Sequence, residues 1–161
     1  MRILLTGGTG YIGSHTALAL AAAGHQVVCF DNLSNSRAEV LFHLETITGS
    51  PIPLIVGDIR DRRALEQAIQ NQSIEAVIHF AGLKAVGEAV ANPLLYYDNN
   101  VRGTLCLIEA MIASNVKTLV FSSSATVYGE PQYLPLDETH PTAATNPYGR
   151  TKLIIEEMLT D

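Results

Sequence analysis

The chain has 161 residues, about the length of one domain, and it is 47% hydrophobic and 16% charged, as expected of a globular protein. No apolar stretch reaches the roughly 20 residues that a membrane span needs, and glycines interrupt the start of the chain too early for a signal peptide, so a cytoplasmic protein is expected. The net charge of −6, without a cluster of lysine and arginine, argues against binding to nucleic acid or to an anionic membrane.

Short apolar runs alternate with helical patterns along the whole chain. The runs are rich in Val, Ile, Leu and Phe, which is typical of strands buried on both faces, and they cover residues 3–6, 27–30, 54–56, 77–80 and 119–122. The helical patterns cover residues 11–23, 38–48, 62–70 and 93–114, and a last helix begins near Pro147. This order predicts an α/β fold, a Rossmann-like, doubly wound parallel sheet in which residues 1–161 form one cofactor-binding domain.

The first predicted strand runs into a glycine-rich turn. Gly7, Gly10 and Gly13 form the pattern G-x-x-G-x-x-G directly before a predicted helix. Gly7 permits the tight turn, Gly10 lets the backbone approach a pyrophosphate, and Gly13 lets the helix pack against the strand. The N-terminus of the helix then directs its free N–H groups at phosphate oxygens, so the turn predicts a dinucleotide site.

An acidic residue, Asp31, follows the second predicted strand, 18 residues after Gly13. A carboxylate at this place accepts hydrogen bonds from the adenine ribose hydroxyls and repels a 2′-phosphate. NAD is therefore favoured over NADP. The alternative interpretation of Asp31 is a turn aspartate exposed to solvent.

The third and fourth predicted strands also end in segments that are placed to line a cofactor. These segments are residues 57–59 and residues 80–84, and ligands of doubly wound sheets bind outside the carboxyl ends of the strands. Lys84 either pairs with a phosphate or is a solvated surface charge. His79 is expected to be a packed strand histidine rather than a ligand.

Tyr148 and Lys152 are four residues apart in the helix predicted to begin near Pro147, so they lie on one helix face. An ammonium close to a phenol favours the phenolate, which would make Tyr148 a base. Ser124, after the fifth predicted strand, can bond both a substrate hydroxyl and the tyrosine oxygen. The pattern Y-x-x-x-K occurs by chance in many helices, but together with the serine and the glycine turn it predicts a catalytic set of Ser124, Tyr148 and Lys152.

The loop over residues 129–146 contains three prolines and has little periodicity. Loops of this length in a compact domain are often functional, and a plain surface excursion is the alternative.

These motifs together resemble the extended short-chain dehydrogenase/reductase superfamily over the whole chain. Three stretches are similar, more narrowly, to the UDP-galactose 4-epimerases: HFAGLKAVGE at residues 79–88, YYDNN at residues 96–100 and FSSSATVYG at residues 121–129. Nucleotide-sugar 4,6-dehydratases share the framework but usually carry an acidic pair after the serine position. Ala125 and Thr126 stand there in this chain, which argues against dehydration.

The resemblance implies an NAD-dependent enzyme that inverts C4 of a UDP-hexose through a transient 4-keto sugar and keeps NAD as a prosthetic group. It also implies a homodimer formed through the helix at residues 93–114 and the Tyr148 helix, with a UDP-sugar as substrate. Nothing in the spacing of the histidines suggests a metal site. The predicted cofactor contacts, from the strand ends and the resemblance together, are Gly7, Gly10, Tyr11, Ile12, Gly13, Asp31, Asn32, Asp58, Ile59, Phe80, Ala81, Lys84, Asn99, Tyr148 and Lys152.

Members of the epimerase family are about twice as long as this chain. The chain is therefore expected to be an N-terminal portion that lacks the C-terminal substrate domain and has no epimerase activity by itself. The apolar side chains of its last helix, at Leu153, Ile154, Ile155 and Met158, are then expected to lack packing partners. The alternatives are a different nucleotide-sugar epimerase, such as one acting on UDP-glucuronate, or an NAD-binding module without catalysis.

Overall fold

The computed structural model describes residues 1–161. The strands are β1 (Arg2–Thr6), β2 (Gln26–Asp31), β3 (Leu54–Val56), β4 (Ala76–His79) and β5 (Thr118–Phe121). The α-helices are α1 (Tyr11–Ala22), α2 (Glu39–Thr48), α3 (Arg62–Asn71), α4 (Val86–Ala91), α5 (Pro93–Tyr96), α6 (Gly103–Ala113) and α7 (Pro147–Thr160). A π-helical segment (Tyr97–Arg102) and a 3-10 turn (Ala125–Val127) complete the elements. None of the helices has the length and apolar character that a membrane crossing requires.

The chain forms two compact units. The first unit comprises residues 1–81 and 105–122, and the second comprises residues 82–104 and 123–161. The whole sheet belongs to the first unit, and its strands are all parallel in the order β3-β2-β1-β4-β5. The predicted doubly wound parallel sheet is confirmed, and each predicted strand lies within one residue of the observed one.

The core of the first unit lies on both faces of the sheet, because successive side chains of a strand point in opposite directions. Leu4 packs in a cluster with Leu65 of α3 and Leu107 of α6. Its neighbours Ile3 and Leu5 pack on the opposite face in a cluster with Ala17 of α1. Burial on both faces is the reason why these strands read as continuous apolar runs.

The helix predicted over residues 93–114 has a more complex structure. Helix α5 runs into the π-helical segment, and α6 continues from it. The short helix α4 was not predicted, because six residues between Ala85 and Asn92 give too few turns for a periodic pattern. A π-helical segment adds a residue to the helical turn and is often found at functional sites.

The core of the second unit includes Leu153 of α7, which packs with Val127 and Ala144. The expectation that the apolar side chains of α7 lack packing partners is wrong for Leu153 and Ile155, which are both buried. Ile154 and Met158 are half-buried. Helix α7 is therefore packed within the 161 residues of this chain.

The loop over residues 129–146 is packed around its own histidine. His140 is buried, and its ring lies against the rings of Tyr128 and Tyr133. The backbone N–H of Gln132 donates to Nε2 of His140 over 2.9 Å. The loop is thus held by internal contacts at the surface of the second unit.

Candidate functional site

The glycine turn after β1 has a shape that only glycine allows. Gly7 has a φ of +69°, and a Cβ added there would lie 2.7 Å from the backbone nitrogen of Ala81. A Cβ at Gly13 would overlap the carbonyl oxygen of Gly7 and lie 2.9 Å from Cα of Gly8. The roles predicted for Gly7 and Gly13, a tight turn and a close approach of helix and strand, agree with this geometry.

Helix α1 begins without a side-chain cap, since Gly10 stands at its N-cap. By contrast, Asp61 caps α3 and Asn146 caps α7, each by accepting a backbone N–H. The first N–H groups of an α-helix have no partner within the helix, so those of α1 remain available at its positive end. Tyr11 and Ile12 in this first turn are 76% and 54% exposed, which leaves space for an anionic ligand.

Asp31 is buried rather than exposed, so the alternative of a solvent-exposed turn aspartate is wrong. Its carboxylate accepts the N–H of Thr9 over 3.1 Å, the N–H of Leu33 over 2.9 Å and the hydroxyl of Ser36 over 3.0 Å. A carboxylate has about four acceptor positions, so one remains for a ligand hydroxyl. Sequence reasoning missed Thr9 and Ser36, whose hydroxyl oxygens are 2.7 Å apart beside this carboxylate.

Asp58, after β3, is held in a charged hydrogen-bond network. Nε and Nη2 of Arg60 donate to its two carboxylate oxygens over 2.9 and 2.8 Å, and Nδ2 of Asn32 donates over 3.2 Å. The hydrogen bonds from Arg60 hold the pKa of Asp58 well below its usual range. Ile59 beside it is buried in the core. Arg60 was not predicted, although the spacing D-x-R was visible in the sequence.

The end of β4 is anchored in the first unit. His79 is buried, its Nδ1 lies 2.6 Å from Oγ1 of Thr6, and its ring stacks on that of Phe121. His79 is therefore a packed strand histidine, as predicted. Phe80 packs against the core, and the N–H of Ala81 lies 3.4 Å from Oγ1 of Thr6.

Helix α7 carries Tyr148 and Lys152 one turn apart, as predicted. The side chain of Asn146 caps the helix through the N–H of Gly149 over 2.8 Å, which fixes the turn that contains Tyr148. Lys152 is only 6% exposed, whereas Tyr148 is half-buried. Burial lowers the pKa of Lys152 to about 8, and the charge of Glu156 opposes this effect.

Asn100, in the π-helical segment, ties three elements of the second unit together. Its Oδ1 accepts the N–H of Leu83 over 2.8 Å, and its Nδ2 donates to the carbonyl of Leu83 over 2.9 Å and to Oγ1 of Thr151 over 3.1 Å. Asn99 donates to the same Oδ1 over 2.9 Å. A Cβ on Gly82 would lie 3.3 Å from Oδ1 of Asn100 and 3.9 Å from Nζ of Lys152.

The two predicted cofactor contacts that adjoin this network differ in burial. Asn99 is half-buried within the π-helical segment, whereas Lys84 is exposed. Asn100 itself was not predicted as a site residue. Its neighbour Asn99 was, and the two differ in burial, since Asn100 is buried whereas Asn99 is half-buried.

Ser124 begins the 3-10 turn as its N-cap. Its oxygen accepts the N–H of Thr126 over 3.3 Å and the hydroxyl of Thr126 over 3.0 Å. Both contacts are made to the oxygen, so the O–H proton of Ser124 remains available to a substrate. The preceding Ser123 donates a hydrogen bond to Oε1 of Glu156.

A groove of about 1000 Å³ lies elsewhere in the first unit. It is lined by residues that include Arg2 and Gln26, which begin β1 and β2, and Ile47 near the end of α2. The predicted cofactor residues of the first unit follow the carboxyl ends of its strands, at the opposite edge of the sheet, where ligands of doubly wound folds bind. The groove is therefore separate from these residues.

The sequence is similar to that of known epimerases over its full length. The chain is 55% identical over 161 residues to the UDP-glucose 4-epimerase of Bacillus subtilis, covering 100% of this chain and 48% of that protein. It is 54% identical over 167 residues to the UDP-glucose 4-epimerase of Mus musculus, covering 99% of this chain and 48% of that protein. The chain thus spans about half the length of the curated relatives it matches.

Solved structures of epimerases have the same fold. The UDP-glucose-4-epimerase of Stenotrophomonas maltophila, with bound NAD and formylated UDP-arabinopyranose, superposes with a TM-score of 0.98 at 48% identity, over 100% of this chain and 48% of that one. The UDP-glucose 4-epimerase of Bifidobacterium longum, in complex with NAD+ and UDP, also superposes with a TM-score of 0.98, at 49% identity and with the same coverage.

The family assignment rests on both kinds of similarity. Residues 3–161 match the family described as NAD dependent epimerase/dehydratase. The match covers nearly the whole chain and confirms the resemblance that the glycine turn and the Tyr148 helix indicated. The chain belongs to the NAD dependent epimerase/dehydratase family.

Proposed function

We propose that residues 1–161 are the NAD-binding portion of an epimerase that inverts C4 of a UDP-hexose through a transient 4-keto sugar. The observation that carries the proposal is the buried Lys152 one helical turn after Tyr148, because an ammonium in this position favours a tyrosinate that can act as a base. The relatives named UDP-glucose 4-epimerase support the choice of substrate. Cys29 and Cys106 are thiols rather than halves of a disulfide, which supports a cytoplasmic location.

The residues of the first unit fit the phosphate and adenosine parts of NAD. The uncapped start of α1 offers N–H groups to a pyrophosphate, and side chains at Gly7 or Gly13 would disrupt this turn. Asp31 retains one acceptor position for a ribose hydroxyl, which favours NAD over NADP. Tyr11, Ile12, Asn32, Asp58, Ile59, Phe80 and Ala81 complete the proposed contacts of this unit, and Gly10 gives the backbone its close approach.

The residues of the second unit fit the chemistry at the sugar. When bound, NAD would accept a hydride from C4 and return it to the other face of the 4-keto sugar. Tyr148, as the tyrosinate, would take the proton of the 4-hydroxyl and become neutral, and the ammonium of Lys152 would stabilise the negative charge that the tyrosine oxygen carries before this transfer. Ser124 would donate its O–H to the sugar oxygen. Lys84, Asn99, Tyr148 and Lys152 are the proposed cofactor contacts of this unit.

A different nucleotide-sugar epimerase, such as one acting on UDP-glucuronate, remains the second candidate. The same NAD dependent epimerase/dehydratase family supports it. The selection of the sugar is proposed to lie outside this chain, because the relatives are about twice as long. We therefore expect the purified chain not to interconvert UDP-galactose and UDP-glucose. Measurable conversion by the chain would contradict this expectation.

We propose in addition that the protein forms a homodimer. Apolar side chains are exposed in the second unit, where Leu94 of α5 is 82% exposed and Val90 of α4 is 63% exposed. Charging such a side chain disrupts an apolar interface, so Leu94→Glu is expected to convert a dimer to a monomer in sedimentation velocity. Leu134→Glu is the control, since Leu134 is 75% exposed in the loop over residues 129–146. If the Leu94→Glu and Leu134→Glu variants sediment equally, the proposal that Leu94 lies in a dimer interface is contradicted.

The experiment that tests the proposed function is a count of NAD per purified chain after release by denaturation. The expected result is close to one NAD per chain. When NAD or NADP is added to the chain, NAD is expected to be retained far better than NADP. A chain that is empty and binds neither nucleotide would contradict NAD binding by residues 1–161. Equal binding of NADP would contradict the role proposed for Asp31.

A further inference from the structure

Glu156 lies on the same face of α7 as the two residues proposed to act at the sugar. Tyr148, Lys152 and Glu156 follow one another at intervals of four residues, which places them on one side of the helix. Glu156 is half-buried, so its carboxylate is partly withdrawn from solvent. No motif in the sequence distinguishes it from Glu157, which is exposed on the next position of the helix.

The carboxylate of Glu156 has a partner in the segment that carries Ser124. The hydroxyl of Ser123 donates a hydrogen bond to Oε1 of Glu156. Hydrogen bonds to an ionised acceptor are about twice as strong as those between neutral groups. Because Ser124 follows Ser123 directly, the contact restrains the backbone position from which Ser124 begins the 3-10 turn.

We propose that Glu156 is a positioning residue whose carboxylate holds the Ser123–Ser124 segment and the Lys152 ammonium together on one face of α7. The inference rests on the proposed function, in which Ser124 and Lys152 act on NAD and the sugar. Glu156 touches neither ligand in this scheme and acts through Ser123 and Lys152.

The electrostatic part of this role follows from the surroundings of Lys152. Burial lowers the pKa of Lys152 to about 8, and the negative charge of Glu156 is the effect that opposes it. Without that charge, a larger fraction of Lys152 would lose its proton near neutral pH. A neutral lysine would no longer favour the tyrosinate form of Tyr148.

Other ionisable groups lie on the elements packed against α7. Asp98, on the π-helical segment, pairs with Arg102 over 2.8 Å. Tyr96 of α5 bonds Glu88 of α4 over 2.7 Å, and burial raises the pKa of Tyr96 to about 12, so its phenol stays neutral. Tyr97 is half-buried on the π-helical segment. Glu156 is the carboxylate whose charge raises the pKa of Lys152.

The test is a ¹³C NMR titration of the lysine side chains in the 161-residue chain without NAD. The chain contains three lysines, at 84, 117 and 152, so the signal of Lys152 can be assigned by substitution. Glu156→Gln keeps an oxygen that accepts the Ser123 hydroxyl but removes the charge. In Glu156→Gln, Lys152 is expected to titrate at least about half a pH unit below Lys152 of the wild type. Glu157→Gln is the control and is expected to leave the titration of Lys152 unchanged. Equal titration of Lys152 in both variants would overturn the electrostatic role.

Ser123→Ala tests the hydrogen bond and keeps the charge of Glu156. The backbone amide of Thr126 is expected to exchange with solvent at least about tenfold faster than in the wild type, because its segment has lost an anchor. Unchanged exchange would overturn the positioning role. This variant also decides the positioning role if Glu156→Gln does not fold.

NAD binding, measured in parallel on the wild type, separates this inference from the proposed function. A shifted Lys152 titration in a chain that binds no NAD would refute the proposed function and leave the role of Glu156 standing. An unshifted titration in a chain that binds NAD would refute the role of Glu156 alone.

Discussion

Replacement of Lys152 by methionine is expected to change how the stability of the chain depends on pH. The pKa of Lys152 is lowered from 10.5 to about 8, mainly by burial. Between these two values the unfolded chain binds more protons at this position than the folded chain, so stability rises with pH across this window. A difference of about 2.5 pH units at 1.36 kcal/mol each amounts to about 3 kcal/mol. Below the window, the buried ammonium destabilises the fold by this amount.

Two other buried groups change stability in the opposite direction. Burial raises the pKa of the Cys29 thiol from 9.0 to about 12, and that of Tyr96 from 10.0 to about 12. Folded proteins hold these protons more tightly than the unfolded chain does, so stability falls as pH rises above about 9. In the wild type alone, the loss of stability caused by Cys29 and Tyr96 would therefore mask part of the gain in stability caused by Lys152. Both groups are present in the wild type and in Lys152→Met, so the difference between the two proteins isolates Lys152.

The assay is urea unfolding followed by circular dichroism, at intervals from about pH 7 to pH 10.5. Methionine fills the space of the lysine stem without a charge. The free energy of unfolding of Lys152→Met, relative to the wild type, is expected to fall by about 3 kcal/mol from pH 7 to pH 10.5. Lys117→Met is the control, since Lys117 is exposed and should give a flat difference. A difference for Lys152→Met that stays constant within about 0.5 kcal/mol would refute the argument that burial of the ammonium destabilises the fold.

Three further predictions concern the cofactor site and its support. Gly13→Ala is expected to weaken NAD binding at least about tenfold in calorimetry, because a Cβ there meets Gly7 and Gly8, whereas Gly87→Ala, with nothing within 4 Å, leaves binding unchanged. Asn100→Ala is expected to lower the free energy of unfolding by about 2–3 kcal/mol in urea, because it leaves Leu83 without its paired hydrogen bonds, and an effect below about 0.5 kcal/mol would contradict this. Since Arg60 keeps the pKa of Asp58 well below its usual range, NAD affinity is expected to change little between about pH 7 and pH 5, and a steep loss would contradict a role for ionised Asp58.

The arrangement of strands could be predicted because it depends on local and periodic signals. Leu4 and Leu5 are buried on opposite faces of the sheet, so their strand reads as an apolar run without any knowledge of its partners. Gly7 and Gly13 could be assigned because the positive φ of Gly7 and the close approach of Gly13 to Gly7 and Gly8 are set within the turn itself. Tyr148 and Lys152 could be placed together because helical spacing alone puts them one turn apart.

The contacts that hold the site together could not be predicted in the same way. Asn100 bonds Thr151, which is 51 positions away along the chain, and Ser123 bonds Glu156, which is 33 positions away. No periodicity connects such pairs. The sequence also left open whether Asp31 is buried or exposed, because the groups that donate hydrogen bonds to its carboxylate lie in two different turns. Long-range polar contacts depend on the packed structure rather than on local pattern.

The burial of Lys152 is itself an argument for a functional role. Its neighbours Leu153 and Ile155 are buried apolar residues of the same helix, so an apolar side chain at position 152 would suit the core of the second unit better than an ammonium does. The charge destabilises the fold at neutral pH, yet a pKa of about 8 leaves most of the lysine protonated there. A group that is destabilising, charged and placed one turn from a tyrosine is typical of a site that uses the charge. Stability alone gives no reason for it, whereas the proposed stabilisation of a tyrosinate at Tyr148 does.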